Sequence, residues 1–153
     1  MPKIELATYI KAPQEVVFDW SRSIDLHIES TAQTHEKAVA GKTSGLISLG
    51  ESVTWRAKHF GVYQNLTSKI IQFDRPNSFT DEMQKGAFKS FTHQHLFSEK
   101  EGITEMKDLF EYQSPWGILG KLANKLFLNR YLTNLLEKRN SVIKKIAESG
   151  QIP

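Results

Sequence analysis

The segment SFTHQHLFSEKEGITEMKDLFEY, residues 90–112, decides the fold because it predicts two β-strands joined by a short turn. Apolar and polar residues alternate in both halves, and the letters SEKEG connect them. In the second half, Glu105, Lys107 and Glu111 share one face that belongs in water, which leaves the alternate residues facing inward. The pattern therefore predicts an antiparallel hairpin with one solvated face and one buried face.

The inward face of the first predicted strand carries two of the five histidines of the chain. Successive side chains of a strand alternate between its faces, so Phe91, His93, His95 and Phe97 point to the same side. The contacts of the two imidazole rings then depend on the register of the hairpin.

A tight turn centred on Lys100 and Glu101 would set that register. It places position 97 opposite 104, 95 opposite 106, 93 opposite 108 and 91 opposite 110. Directly opposed residues have Cβ atoms about 4.5–5.5 Å apart, close enough for the carboxylate of Asp108 to accept a hydrogen bond from His93. The inward residues of the second strand are Met106, Asp108, Phe110 and Tyr112.

The pair formed by His93 and Asp108 has several interpretations. The two groups can satisfy each other on an apolar wall, or they can recognise a ligand in an apolar pocket. They can also perform general acid/base catalysis, with His93 as the acid or base and Asp108 holding its tautomer. Motifs for serine hydrolysis, phosphate binding and dinucleotide binding are absent from the sequence. Catalysis therefore remains one alternative among these.

A metal site is a further interpretation, because the H-x-H spacing of His93 and His95 occurs among metal ligands. Stable sites use three or four protein ligands, and His27, His35 and His59 lie in positions that give weak support. The sequence therefore predicts no metal and no cofactor.

The sequence before the hairpin predicts further β-strands. Six short β-like runs separated by turn-forming residues occupy residues 36–112, and KIELATYI, residues 3–10, alternates in the same way. Tight connections favour an antiparallel meander over parallel units with crossover helices. About seven antiparallel strands are therefore predicted.

Two short helices are predicted directly after the first strand, over residues 12–23 and residues 23–30. Pro13 suits a first helical turn, and Ser23 suits the N-cap of the second helix. Both helices carry apolar residues at helical spacing, which indicates that each packs one face against the sheet.

A long amphipathic helix is predicted at the end of the chain. Ser114 and Pro115 suit a helix start, and apolar residues then recur with helical spacing until Gly150. The stripe broadens around residues 128–130, which predicts either one long helix or a short helix kinked there into a long one.

These elements predict an α+β fold in which the last helix covers the apolar face of the sheet, since no other element is long enough. A sheet that grips a helix leaves a cavity wherever the side chains do not fill the space. Trp55 and Phe79 are the aromatic residues best placed to line it, and His59 shares a face with Trp55.

Length and composition are those of an ordinary globular protein, and residues 1–153 suit one domain. The absence of cysteine excludes disulfides, thiolate metal sites and a cysteine nucleophile, and it fits a reducing compartment. The N-terminus lacks the order of a signal peptide, and charges interrupt the most apolar stretch well short of the ~20 residues that a membrane span needs. A cytoplasmic location and a monomer or weak dimer are expected.

The net charge of +3 is concentrated near the C-terminus, where seven Lys and Arg residues face a single Glu over residues 121–145. The simplest interpretation is the solvated face of an amphipathic helix. The alternative, which assigns the charges a function, is weak peripheral contact with an anionic membrane. No nucleic-acid partner is expected, since no stacking aromatic residues are interleaved with these charges.

Several segments, taken in order, resemble the START-like superfamily of helix-grip proteins, also called SRPBCC. The nearest branch contains bacterial polyketide cyclase/dehydratase-like and cell-division-inhibitor-like proteins. The segments are residues 4–20, 45–55, 73–83, 91–97 and 108–120. The resemblance implies a helix-grip fold, with a curved sheet wrapped around the C-terminal helix and a deep apolar cavity between them.

The resemblance implies two classes of function. The first is binding or carriage of a hydrophobic small molecule such as a lipid, an isoprenoid or a polyketide-like compound. The second is an enzyme of the aromatase/cyclase or dehydratase type that uses a His/Asp pair of the cavity. His93 and Asp108 are the candidates for catalysis, although the superfamily shares no catalytic position that assigns them that role. The predicted ligand-binding residues are Trp55, His59, Phe79, Phe91, His93, His95, Met106, Asp108, Phe110 and Tyr112.

Overall fold

A computed structural model of the chain describes residues 2–113 and 127–153. Within those ranges the strands are β1 (Lys3–Ile10), β2 (Lys37–Gly41), β3 (Ser52–His59), β4 (Val62–Asp74), β5 (Ser78–Lys85), β6 (Ser90–Lys100) and β7 (Ile103–Gln113). They form one curved antiparallel sheet in the spatial order β1-β7-β6-β5-β4-β3-β2. The predicted antiparallel sheet of about seven strands is confirmed.

The β6–β7 hairpin turns one residue later than the sequence analysis predicted. Its two turn residues are Glu101 and Gly102, with φ of 53° and 78°, and Lys100 pairs with Ile103. Positive φ at both central residues is the geometry of the hairpin turn that best matches strand twist, and Gly is favoured at its second position. The signal for the correct turn was therefore Gly102.

The predicted register of this hairpin was wrong by two residues as a result. The actual pairs are Phe91 with Tyr112, His93 with Phe110, His95 with Asp108 and Phe97 with Met106. A shift by an even number of residues keeps every side chain on its face. The predicted inward faces are therefore correct, and only the direct partners change.

Three α-helices lie in the described residues, namely α1 (Gln14–Ser21), α2 (Ile24–Ser30) and α3 (Asn129–Glu148), and a single 3-10 turn follows α2 at Ala32–Thr34. Ser23 is the N-cap of α2, as predicted, and its hydroxyl accepts a hydrogen bond from the backbone N–H of Leu26 at 3.1 Å. The last helix packs against β1, α1 and α2. The predicted helix start at Ser114 lies outside the described residues. Residues 128–130, where the kink was predicted, are described, and α3 begins there at Asn129.

The apolar side chains between sheet and helices form two cores. The larger core is centred on Phe18 and includes Ile10, Met106 and Ile143. The smaller core is centred on Phe91 and Phe110, and partly buried leucines at the start of α3 pack against it.

A layer of polar residues, called the polar belt below, separates the two cores. In β6 the sequence runs from Phe91 of the smaller core through two histidines to Phe97 of the larger core. The belt is made from β5, β6, β7 and α3, and it consists of Asp81, His93, His95, Asp108, Arg139 and Asn140.

Candidate functional site

A cavity of about 220 Å³ lies between the sheet and the helices. Its wall in the described residues is mainly apolar. Aromatic rings of the sheet form one side, and leucines of α3 form part of the other; they include Trp55, Phe79, Phe91, Phe110, Leu132 and Leu136. The cavity therefore offers an apolar molecule a space that is already formed.

The structure brings most of the predicted site residues to this cavity. Seven of the ten line it, namely Trp55, His59, Phe79, Phe91, His93, His95 and Phe110. Met106, Asp108 and Tyr112 face inward but are not among its lining residues, and all three are fully buried behind the wall. Asp108 is hydrogen-bonded to the lining residues His93 and Arg139, and the sulfur of Met106 lies 3.2 Å from the hydroxyl of the lining residue Ser21.

Asp108 is fully buried at the centre of the polar belt. Its Oδ1 lies 2.8 Å from Nε2 of His93 and 3.4 Å from Nη1 of Arg139, and its Oδ2 accepts a hydrogen bond from the side-chain amide of Asn140 at 2.7 Å. Burial raises the pKa of Asp108, but the hydrogen bond from His93 and the nearby positive charge outweigh burial and hold that pKa well below its ordinary value. Asp108 is therefore an ionised, acceptor-only group at neutral pH.

The predicted contact between His93 and Asp108 is thus made, although the two residues are not direct cross-strand partners. Asp108 stands directly opposite His95. The ring of His93 reaches it diagonally and stacks on the ring of His95, with ring centroids 3.8 Å apart. Diagonal neighbours lie within reach of long side chains, which explains why the wrong register still gave the correct contact.

His95 is hydrogen-bonded to a different carboxylate, that of Asp81. Its Nε2 lies 2.8 Å from Oδ1 of Asp81, and its Nδ1 lies 3.5 Å from Nη2 of Arg139. Burial and the neighbouring His93 lower the pKa of His95 to about 4, and the hydrogen bond to Asp81 opposes this only in part. His95 is therefore neutral at pH 7, with the Nε2 proton held by Asp81.

Arg139 connects the belt to the helix α1. Nη1 donates to Asp108 and to Oδ1 of Asn140, while Nη2 donates to the backbone carbonyl of Ser21 and contacts His95. The two Nη atoms carry four hydrogens in all, and four acceptors surround them. The two Nη atoms are therefore already occupied by acceptors of the protein.

Three side chains of the belt could also be considered as metal ligands. Asp81, His93 and His95 present ligand atoms within 4.8 Å of one another, the one such group found in residues 2–113 and 127–153. A cation there would displace the hydrogen bond between Asp81 and His95, and the guanidinium of Arg139 would repel it. The arrangement favours a hydrogen-bonded network.

A second polar region lies near the β3–β4 hairpin. Nδ1 of His59 lies 2.6 Å from the hydroxyl of Tyr131, and Nε2 of His27 lies 2.9 Å from Oε1 of Glu36. Burial lowers the pKa of His59 and raises the pKa of Tyr131. His59 and Tyr131 are called the outer pair below. They are more exposed than most residues of the polar belt.

Sequence reasoning missed three members of the belt. Arg139 stands three residues after Leu136 and four before Ile143, so it interrupts the apolar stripe of α3 and is buried there. Asn140 is the next residue in α3. Asp81 lies two residues after Phe79 in β5, so both side chains are on the inward face of that strand. A charged residue at a stripe position was the available signal, but Arg139 had been counted with the solvated basic face.

None of the helices in the described part of the chain is long and apolar enough to cross a membrane.

Comparisons of the sequence with family models and with curated proteins found no match. Comparison of the structure with solved structures found many. TTHA0849 from Thermus thermophilus is 16% identical with a TM-score of 0.80, and the match covers 98% of this chain and 99% of that one. A START superfamily protein from Mycobacterium smegmatis is 10% identical with a TM-score of 0.72, covering 97% and 99%.

A third similar structure is StfQ, the di-domain ARO/CYC of the steffimycin biosynthetic pathway. It is 11% identical with a TM-score of 0.77, and the match covers 96% of this chain and 50% of that one. Identities this low establish similarity of fold. The chain has the START-like helix-grip fold, as the resemblance of its segments implied.

Proposed function

We propose that the protein binds or carries a hydrophobic small molecule in the cavity between the sheet and α3. The observation that carries this proposal is the mainly apolar wall of a cavity of about 220 Å³ between the sheet and the helices. Protein interiors leave few voids larger than a water molecule, so a space of this size in a natural core requires an explanation.

Apolar lining makes water a poor occupant of this cavity. Water molecules inside proteins need two to four polar partners, and cavities lined by leucine, isoleucine and phenylalanine bind small apolar molecules instead. Transfer of apolar ligand surface from water contributes about 25 cal/mol per Å². The rings of Trp55, Phe79, Phe91 and Phe110 supply the surface against which such a ligand would pack.

The ligand class is a lipid, an isoprenoid or a polyketide-like compound, and the whole of residues 1–153 serves as one binding domain. The fold supports this class, since similar structures include a START superfamily protein and an ARO/CYC of a biosynthetic pathway. The ten residues named from the sequence contribute in two ways. Seven form the wall, and Met106, Asp108 and Tyr112 support it from behind.

An enzyme of the aromatase/cyclase or dehydratase type is the second candidate. The observation that favours it is the hydrogen bond between Asp108 and the cavity-lining His93 at 2.8 Å. A buried carboxylate that fixes one ring nitrogen leaves the other nitrogen to act as a general base. His93 would be the catalytic residue in that case, and Asp108 would be a positioning residue.

Native mass spectrometry of the protein purified from its own host tests the first proposal. The expected result is a retained hydrophobic compound that is released chemically unchanged. Leu136→Trp, which fills the cavity from α3, should lower its occupancy, while Ile71→Trp on an exposed position of β4 should not. A protein that arrives empty, and that no compound of a hydrophobic library stabilises against heat, would contradict carriage. A compound consumed and altered by the wild-type protein but not by His93→Gln would favour the enzyme.

The remaining proposals concern location and association. The protein is a cytoplasmic monomer or weak dimer that makes weak peripheral contact with anionic membranes. The exposed Arg130, Lys138 and Lys145 of α3 support this contact. Arg139 does not contribute to it, because its side chain is only 8% exposed and is paired with Asp108.

A further inference from the structure

Two polar atoms of the belt have no hydrogen-bond partner in the described residues. The first is Nδ1 of His93. Since Asp108 is an acceptor only, the bond of 2.8 Å requires a proton on Nε2, which leaves Nδ1 as the ring nitrogen for a second partner. No described donor lies within hydrogen-bonding distance of that nitrogen, although His93 is 6% exposed.

The second unpartnered atom is Oδ2 of Asp81, which is an acceptor. Its other oxygen, Oδ1, accepts the hydrogen bond from His95, and no described donor reaches Oδ2. Interaction with His95, His93 and Arg139 lowers the pKa of Asp81 against the effect of burial, so the carboxylate is ionised at neutral pH. The Asp81 side chain is 19% exposed.

These two atoms belong to residues that face each other across the sheet. Asp81 and His93 are direct partners in the pairing of β5 with β6, and both line the cavity. Buried polar atoms in folded proteins nearly always have hydrogen-bond partners, so two unpartnered atoms at a cavity wall call for a polar group inside the cavity. We propose that Asp81 and His93 together bind the hydroxyl group of an otherwise apolar ligand, such as an alcohol or a phenol. The single hydrogen of that group is donated to Oδ2 of Asp81, and its oxygen lies next to Nδ1 of His93.

This inference rests on the proposed binding function and names the polar group that the ligand carries. Arg139, one of two arginines that line the cavity, would suggest a carboxylate ligand, but the belt disfavours this for two reasons. All four Nη hydrogens of Arg139 face protein acceptors. In addition, the ionised carboxylate of Asp81 lines the cavity and repels an anion.

His95 shows why only one of the two histidines serves the ligand. Both rings give their Nε2 proton to a carboxylate, but Nδ1 of His95 already accepts a contact from Arg139 at 3.5 Å. His95 is therefore saturated by the protein. His93 is the ring with an unpartnered nitrogen, and its stacking on His95 fixes its orientation.

Three naphthalene probes of similar size test this inference by isothermal titration calorimetry at neutral pH. They are 2-naphthol, which donates a hydrogen bond, 2-methoxynaphthalene, which cannot donate, and 2-naphthoate, which is an anion. A hydrogen bond to a buried charged or polar acceptor should make 2-naphthol bind about tenfold tighter than the ether. The naphthoate should bind more weakly than the naphthol.

Asp81→Asn sharpens the test, because it keeps an acceptor for His95 but removes the negative charge and replaces Oδ2 with a donor. The preference for 2-naphthol over the ether should fall, and binding of 2-naphthoate should improve. Glu82→Gln, the next residue on the opposite face of β5, is the matched control and should change neither ratio.

Two sets of outcomes overturn the inference and remain distinguishable. If the naphthol and the ether bind equally, or if the naphthoate binds tightest, the hydroxyl site is wrong while cavity binding stands. If none of the probes binds and no larger hydrophobe does either, the proposed binding function fails and the hydroxyl site fails with it.

Discussion

The two apolar cores lie on opposite sides of the polar belt, and their central side chains differ in whether they line the cavity. In the larger core, the ring of Phe18 makes edge contacts with Phe73, Phe79 and Phe97 at centroid distances of 5.2–5.4 Å. Phe18 is fully buried and does not line the cavity. In the smaller core, partly buried leucines of α3, including Leu136, pack on the sheet and line the cavity.

The difference indicates a division of roles between the cores. Close packing around Phe18 supplies stability, because each buried aromatic ring removes a large apolar area from water. In the smaller core, the central rings of Phe91 and Phe110 line the cavity, as do Trp55 and Phe79 at the edge of the larger core. The polar belt between them fixes the position of α3 against the sheet through Arg139 and Asn140.

The largest expected effect is the loss of stability when the larger core is truncated. Phe18→Ala should lower the free energy of unfolding by about 3–5 kcal/mol, because it leaves a cavity among closely packed rings. Leu136→Ala in the smaller core should cost only about 1–2 kcal/mol, since that side chain already borders empty space. Urea unfolding measures both values. Equal costs would show that the two cores are packed alike.

Removing the charge at the centre of the belt should have the next largest effect. Asp108→Asn leaves Arg139 buried without its carboxylate, and breaking a buried ion pair costs about 3 kcal/mol or more. Asp81→Asn should cost less, because its side chain is 19% exposed and that of Asp108 is not exposed at all. The comparison fails if urea unfolding gives the two variants the same stability.

Acidification should destabilise the belt through His95. Its pKa of about 4 lies below the ordinary value of 6.5, so between these values the unfolded chain binds more protons than the folded one. The contribution of neutral His95 to the free energy of unfolding should therefore be fully present above pH 6.5 and should be lost progressively as the pH falls to about 4. A shift of this size corresponds to an effect on the order of 3 kcal/mol. Further loss below pH 4 comes from Asp108, whose pKa is also lowered. Stability that is constant or rises over this window would contradict the buried, neutral state of His95.

The outer pair should contribute less than the belt because it is closer to water. Tyr131→Phe removes the hydroxyl that contacts His59 at 2.6 Å and should cost about 1 kcal/mol, the usual net value of one hydrogen bond. Thermal unfolding in comparison with Tyr63→Phe, a change at an exposed ring of β4, isolates this contribution. A loss as large as that of Asp108→Asn would remove the distinction between the two polar regions.

The smallest expected effect concerns membranes. Vesicles with anionic lipid should bind the protein weakly, and binding should fade as added salt shortens the Debye length below ~10 Å. Lys138→Gln with Lys145→Gln should weaken co-sedimentation further, whereas charge-neutral vesicles should not bind. Binding that survives high salt would indicate insertion of apolar side chains instead.

The fold could be predicted from the sequence because its signals are local. Alternation in residues 3–10 and 90–112 identified the strands and their inward faces, and Ser23 identified a helix start. The hairpin register was missed for a local reason too, since Gly102 was not recognised as the second turn residue. Because the predicted register was wrong by two residues, an even number, each side chain was still placed on the correct face. The contact between His93 and Asp108 was therefore still found.

The membership of the polar belt could not be predicted in the same way. Asp81, Arg139 and Asn140 lie far apart from the histidines in the sequence, and an arginine on a helix is usually solvated. Its burial follows from the position of α3 on the sheet, which brings its guanidinium to Asp108 and the Ser21 carbonyl.

By itself, the sequence determined the strands, the helices and the inward faces, because hydrophobic periodicity and turn chemistry act over a few residues. Tertiary structure alone decided which polar side chains meet inside and which of their atoms remain unpaired. His93 and His95 have the same spacing, strand and face, and both find a carboxylate. Only the packing of α3, which brings Arg139 to one ring and not the other, makes His95 part of the protein framework and leaves His93 open to the cavity.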